Sequence, residues 1–169
     1  MNFRNKVVFV AGGTTGINFG IAESFVAAGA RVAVLSRKQD NVDAAVAALK
    51  AKGGEAIGFA ADVRAIDTLD AAMAATVAQW GPIDVLVSGA AGNFIAEAEN
   101  LSANGFKTVI DIDLLGCFNV MRAAFPHLRK PGAAIVNISA PQSWLPTPMQ
   151  IHVCAAKAGI DQVTRTAAM

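Results

Sequence analysis

The sequence contains no tyrosine, so no phenol is available anywhere in it to give or take a proton. Cysteine is scarce: Cys117 and Cys154 are the only two, and they fit no metal-ligand or redox spacing. Both fall in expected helices, where they read as small buried apolar side chains in a reducing compartment, and no metal site is expected. Long apolar runs are missing. Hydrophobic residues make up 54% of the chain and the mean hydropathy is +0.44, but alanine and valine supply much of this. No stretch reaches the ~18–20 uncharged residues that a membrane-spanning helix requires. Met1-Asn-Phe-Arg-Asn-Lys6 leads straight into a strand with no secretory apolar region, so the expected location is cytoplasmic. The formal net charge is +1 and there is no basic run, which argues against nucleic acid or a membrane surface as partner. Repeats, low-complexity tracts and linkers are also absent. The 169 residues fit one domain, 1–169, with a sizeable core.

What is there is an alternation of short apolar runs and helical patterns. Strands are expected at Lys6–Ala11, Arg31–Ser36, Glu55–Ala60, Ile83–Val87 and Ala134–Ile138. Between them lie helices from about Ile17 to Ala28, closed by Gly29, from Asp40 to Lys52, ended by Gly53-Gly54, and from Ile66 to Trp80, ended by Gly81-Pro82. A long helix is expected from Ser102, whose hydroxyl can cap it, to about Leu128. Pro141, Pro146 and Pro148 hold a loop before a last helix from about Gln150. Such alternation predicts an α/β fold, a doubly wound parallel sheet of at least five strands buried on both faces. Thr164-Arg-Thr-Ala-Ala-Met169 stops inside a helical pattern with no cap and no strand after it. The expectation is a fragment of a longer domain.

The run Val7-Val-Phe-Val-Ala-Gly12-Gly13-Thr-Thr-Gly16-Ile17 breaks from strand to glycine-rich turn to helix. A dinucleotide pyrophosphate needs that geometry, because glycines let the backbone turn sharply and the N–H groups opening the helix meet the anion. Gly12, Thr14, Gly16 and Ile17 are the candidate pyrophosphate residues. A tight turn of no further function is the alternative, and the flanking strand and helix argue against it. The second strand ends in Leu35-Ser36-Arg37-Lys38, with two cations where NAD-binding folds place an acid for the ribose hydroxyls. Arg37 offers a 2′-phosphate a bidentate partner and Ser36 a hydroxyl, so NADP(H) is the expected cofactor; an exposed basic loop is the rival reading.

These pieces resemble the short-chain dehydrogenase/reductase family over essentially the whole chain, with a Rossmann-type sheet. The glycine turn is similar to the family's Thr-Gly-x-x-x-Gly-x-Gly motif through Gly12 and Gly16, with Asn18 in place of the last glycine. Asp62-Val63 resembles the family's adenine-contacting pair, and Ser88-Gly89-Ala90-Ala91 stands where the family has Asn-Asn-Ala-Gly. Asp113-Leu-Leu-Gly116 matches Asn-x-x-Gly, and Lys157 ends what would be Tyr-x-x-x-Lys. The resemblance implies cofactor contacts from Asp62, Val63, Ala90 and Lys157. It also implies a C-terminal part of the fold that this chain lacks, and a dimer or tetramer. The small-residue faces of the last two helices (Gly116, Cys117; Ala155, Ala156, Gly159) suit packing between subunits.

The family's proton-donating tyrosine is replaced by Val153, its serine by Ala140 and its helix asparagine by Asp113. Ala90-Ala-Gly-Asn-Phe94, Phe106-Lys-Thr-Val-Ile-Asp-Ile-Asp113 and Gln150-Ile-His-Val-Cys-Ala-Ala-Lys157 resemble segments of the 2,4-dienoyl-CoA reductases, particularly the peroxisomal type, which share the loss of tyrosine. That resemblance implies hydride transfer from NADPH to a conjugated acyl thioester and a small-molecule substrate, an acyl-CoA. Asp113 would position or polarise a proton-donating water, and Lys157 would hold the nicotinamide ribose. Asn93 and Phe94 would shape the substrate site. A different carbonyl or enoyl substrate, or a non-catalytic NADP(H)-binding protein, are the alternatives. Other roles stay open at each position. Asp113 shares a face with Phe106, Ile110 and Cys117, where a structural hydrogen bond rivals catalysis. Lys157 lies among apolar neighbours and needs a partner such as Asp113 or the cofactor, unless it snorkels to the surface. His152 is either a replacement acid facing substrate or a packing residue at the helix entrance. Trp144 and Met149 face substrate or cover the core.

Overall fold

The computed structural model describes residues 2–169. Five strands, β1 (Val7–Ala11), β2 (Arg31–Ser36), β3 (Glu55–Ala60), β4 (Val85–Ser88) and β5 (Ala134–Asn137), form one parallel sheet in the order β3-β2-β1-β4-β5. The order reverses between β1 and β4, so the crevice of the doubly wound fold opens at their carboxyl ends. Six α-helices connect and cover the strands: α1 (Gly16–Ala27), α2 (Gln39–Ala51), α3 (Ile66–Trp80), α4 (Ala103–Val109), α5 (Gly116–Ala124) and α6 (Ile151–Ala167).

Side-chain alternation along β1 sorts the core into two layers. Val8 and Val10 point to one face with Val32, Val34, Ala22, Val26, Ala45 and Leu49, under α1 and α2. Val7, Phe9 and Ala11 point to the other with Leu35, Leu69, Met73, Val120 and Ala124, under α3 and α5. Burial on both faces explains why the strands read as unbroken apolar runs.

The expected strand at Ile83–Val87 is displaced: β4 runs Val85–Ser88, Ile83 forms an isolated bridge with Leu128, and Asp84 turns its carboxylate onto the start of β1. The expected helix from Ser102 to Leu128 is broken. Ser102 does cap α4, its Oγ accepting from the Gly105 N–H at 3.0 Å. Ile110–Leu115 then form a π-helical segment, in which the Gly116 N–H reaches back five residues to the Asp111 carbonyl. After α5, Phe125–His127 close the run as a 3-10 turn. One extra residue in the helical ladder changes which side chains face inward, and such bulges concentrate at functional sites.

Candidate active site

The glycine turn sits at the carboxyl end of β1. Gly12 has φ +78°, and a Cβ there would lie 2.8 Å from the backbone of Ala90, so β1 and β4 approach closely only with glycine at this point. α1 begins at Gly16 beside the crevice, and the N–H groups of a helix's first turn have no intrahelical partner. Asn18 stands in place of a third glycine and adds a tie: its Nδ2 donates to the Gly89 carbonyl at 2.7 Å. The side chain lies so near Gly89 that a Cβ on Gly89 would fall within 2.3 Å of it. The substitution therefore exchanges close helix packing for a hydrogen bond across the switch point.

A cleft of about 470 Å³ runs from this turn along the ends of β2 and β3, within the range of small-ligand sites. Gly12, Thr14, Arg37, Asp62, Val63 and Ala90 all line it. Gly16 and Ile17 do not. They open α1 at the rim, where the Ile17 side chain is 77% exposed, so a bound anion would meet their backbone rather than their side chains. Ser36, Arg37, Lys38 and Asn41 form the far lip, and Asp62 is the one carboxylate among the lining residues. Sequence reading missed the partner of that carboxylate. Asp62 accepts the Arg64 N–H at 2.9 Å and the Arg64 side chain at 3.0 and 2.6 Å. The Arg64 hydrogen bond holds its pKa below the usual range, with burial opposing and Arg37 assisting. The signal was an aspartate two residues before an arginine at a strand exit, an arrangement that closes on itself. The Val63 side chain turns into the core against Gly116, and its carbonyl accepts from Asn119 at 3.1 Å.

Beyond Ala90 lies the second half of the site. The π-helical segment turns Asp113 inward until it is 1% exposed. One carboxylate oxygen accepts the Gly92 N–H at 2.7 Å, and the other lies 3.4 Å from Lys157 Nζ. Burial raises the Asp113 pKa above the ordinary carboxylate value, against the opposing pull of the Gly92 N–H, Lys157 and His152. Lys157, 7% exposed, also donates to the Ile138 carbonyl at 3.3 Å, so it does not snorkel. Asp113 is one of the two partners, with the cofactor, anticipated for Lys157 from its apolar neighbours. Cys117, one turn along, is buried beside Ser88, and its thiol pKa is pushed up, chiefly by that burial.

Val153 fills the tyrosine position with an apolar side chain packed against Val109 and Ala156, so the place usually held by a phenol is sealed core. His152 is fully buried, its Nε2 3.0 Å from the Phe94 carbonyl and its ring stacked on Phe94 at 4.5 Å. It takes the packing role at the entrance of α6. Asn93 Nδ2 donates to Gln150 Oε1 at 3.3 Å, and the Ala96 N–H to the Met149 carbonyl at 3.1 Å, joining the loops after β4 and β5. Trp144 is 75% exposed and Phe94, Leu145 and Met149 are partly exposed around this mouth, so neither Trp144 nor Met149 covers the core. No group of three or more His, Cys, Asp or Glu that could hold a metal occurs among the described residues.

Comparison with known proteins follows the same line. The family model for short chain dehydrogenases matches residues 6–169. The chain is 42% identical to a peroxisomal 2,4-dienoyl-CoA reductase of Arabidopsis thaliana, over 98% of this chain and 59% of that protein. It is 42% identical to the Rattus norvegicus protein of the same name, over 96% of this chain and 56% of that one. The chain thus spans less than two thirds of the length of these relatives. Among solved structures, an actinorhodin polyketide ketoreductase with NADPH superposes with a TM-score of 0.92 at 28% identity, covering 96% of this chain and 63% of that one. The chain belongs to the short chain dehydrogenase family.

Proposed function

We propose that residues 1–169 form an NADP(H)-binding oxidoreductase domain that reduces a conjugated 2,4-dienoyl thioester, an acyl-CoA, without a tyrosine. The observation that carries this reading is the buried Asp113–Lys157 pair at the end of the cofactor cleft, beside an apolar Val153. The dienoyl-CoA reductase names of its relatives support the same substrate class.

The cleft suits NADP(H). Gly12 leaves room where backbone meets backbone, the α1 N-terminus faces the pyrophosphate position, and Arg37, Ser36 and Lys38 line the lip where a 2′-phosphate would lie. Thr14, Asp62, Val63 and Ala90 would flank the nucleotide, and Lys157 would hold the nicotinamide ribose. NADPH, when bound, supplies a hydride. Reduction of a conjugated thioester puts negative charge on the thioester oxygen, which nearby donors and the Lys157 ammonium stabilise. The resulting dienolate then needs a proton. Asp113, with burial holding its pKa up, orients and polarises the water that gives it. Asn93 and Phe94 border the acyl side.

The proposed partner, besides substrate, is a second copy of this chain. The small residues expected to serve that contact divide: Ala155 is exposed and Gly159 lines an open groove, while the others face inward. Gly116 lies against Val63, Gly159 against Leu114, and Cys117 and Ala156 are buried within the chain. The face left open carries Leu115, Phe118 and Phe125, beside a groove lined by Met121, Gly159 and Val163. An apolar patch of this kind on two adjacent helices suits an isologous contact, and light scattering should show a dimer or tetramer. No helix among the described residues is long and apolar enough to cross a membrane, and the unbridged Cys117 and Cys154 support a cytoplasmic setting.

The test is NADPH oxidation by the intact protein with a 2,4-dienoyl-CoA. Turnover that Asp113→Ala abolishes supports the assignment. Tight NADPH binding without turnover would favour a non-catalytic cofactor-binding protein instead.

A further inference from the structure

His152 is wholly buried, yet it has no place in the chemistry above. A carbonyl oxygen only accepts, so the 3.0 Å contact with the Phe94 carbonyl assigns the imidazole proton to Nε2. Nδ1 is then left with a buried lone pair and no hydrogen-bond partner among the described residues. Orphaned buried polar atoms are costly. A phenyl ring would fill the same space and keep the stack on Phe94 without that cost. What the imidazole adds is the Nε2–H bond.

That bond has a specific place in the site. The loop leaving β4 delivers the Gly92 N–H to Asp113 at 2.7 Å, and two residues later its Phe94 carbonyl is held by His152. The loop's other attachments, Asn93 to Gln150 and Ala96 to Met149, bind it to the exposed stretch ahead of α6. His152 alone among these anchors lies on the helix that also carries Lys157, and it is the buried one.

We propose that His152 is a positioning residue whose Nε2–H bond to the Phe94 carbonyl fixes the loop that brings the Gly92 N–H to Asp113. The proposal rests on the assignment of Asp113 to proton handling. The groups facing Asp113 are the Gly92 N–H from that loop and Lys157 from α6, together with the His152 ring on α6, which pulls on it by charge only when protonated, and Cys117 one turn along. Slack in the loop weakens the first of these. Because the Gly92 N–H lowers the Asp113 pKa, its loss moves that pKa further up.

Three variants of the intact protein test this: His152→Gln, whose amide nitrogen reaches the Nε2 position, His152→Asn, whose amide falls short of it, and His152→Phe, which keeps the stack without a donor. Two readouts apply: the pH–rate profile of NADPH oxidation with a dienoyl thioester, and ¹³C NMR titration of the Asp113 carboxyl in protein without cofactor. His152→Gln is expected to retain kcat within about twofold and to show the lowest Asp113 midpoint of the three variants, all of which lack the imidazole. His152→Asn and His152→Phe should lose about tenfold in kcat with the KM for NADPH unchanged, as loosened positioning does, and raise the midpoint. Equal midpoints across the variants, or Gln behaving as Asn does, would overturn the proposal. Failure of the parent protein to reduce any dienoyl thioester would refute the proposed reaction and leave the titration test of His152 intact.

Discussion

Asp84 and Asp113 are both buried carboxylates on one α/β framework, at opposite edges of the sheet, and burial pushes both pKa values up. Their surroundings then separate them. At the amino edge, Asp84 accepts from Arg129 Nε at 2.5 Å, the Val7 N–H at 2.9 Å and Lys6 Nζ at 3.0 Å. Those bonds outweigh burial and leave its pKa below the ordinary value. At the carboxyl edge, Asp113 has one short backbone bond and a looser contact with Lys157, and burial prevails. The first arrangement locks β1, β4 and the Arg129 segment together. The second leaves a carboxyl with a raised pKa at a point where the helix ladder is already broken. Asp113 is the deeper of the two and the less compensated, and both differences separate the structural acid from the one fitted for chemistry.

The comparison can be broken most sharply by Asp113→Asn. Loss of a proton-handling group costs about 10²-fold or more in kcat. Stability should hold or rise, because a carboxyl with a raised folded pKa stabilises the fold only while protonated, and that stability is lost as pH rises through the folded value. Steady-state kinetics and thermal melts at pH 7 check both halves. Asp84→Asn should do the reverse, removing about 2 kcal/mol of stability through lost charge-assisted bonds while leaving kcat per folded molecule unchanged. Its sign with pH is opposite as well. The lowered folded pKa contributes stability above the unfolded value of about 3.9, which is lost as pH falls through the folded value. Urea titrations between pH 3 and pH 7 should show parent and variant converging at the acid end.

A smaller effect is expected at the cleft lip. Arg37→Gln should weaken NADPH binding about tenfold and leave NADH binding unchanged, since only the 2′-phosphate distinguishes the two. Fluorescence titration with both cofactors reads the difference. Equal weakening would make Arg37 a general contact rather than the source of specificity. The smallest change should come from Asn18→Gly, which removes one hydrogen bond across the switch point at a cost of about 1 kcal/mol, measured by denaturant unfolding.

Much of this was legible in the chain because period and punctuation are local. The sheet, the glycine turn and four of the six helices follow from apolar runs closed by Gly and Pro, with α4 and α5 read as one, and α3 falls at Ile66–Trp80 as read. That Lys157 needs a partner, Asp113 or the cofactor, was legible too, since a charge among apolar neighbours is seldom left unpaired. The π-helical segment was not. No Pro or Gly lies within Ile110–Leu115 to announce it, and its partners, α6 and the Gly92 N–H on Asp113, are distant in sequence. The self-pairing of Asp62 with Arg64 was hidden because it depends on a backbone turn. Of the small residues of α5 and α6, Gly116, Cys117 and Ala156 turn inward while Ala155 and Gly159 stay on the open side, because composition shows that two surfaces approach closely, but not whether the neighbour belongs to the same chain.

The most direct test is ¹³C titration of the Asp84 and Asp113 carboxyl carbons side by side in the folded protein. The expected result is Asp113 titrating above the ordinary aspartate value and Asp84 below it. Both titrating together in the ordinary range, or the reverse order, would contradict the separation of a structural from a chemical carboxylate on which the site rests.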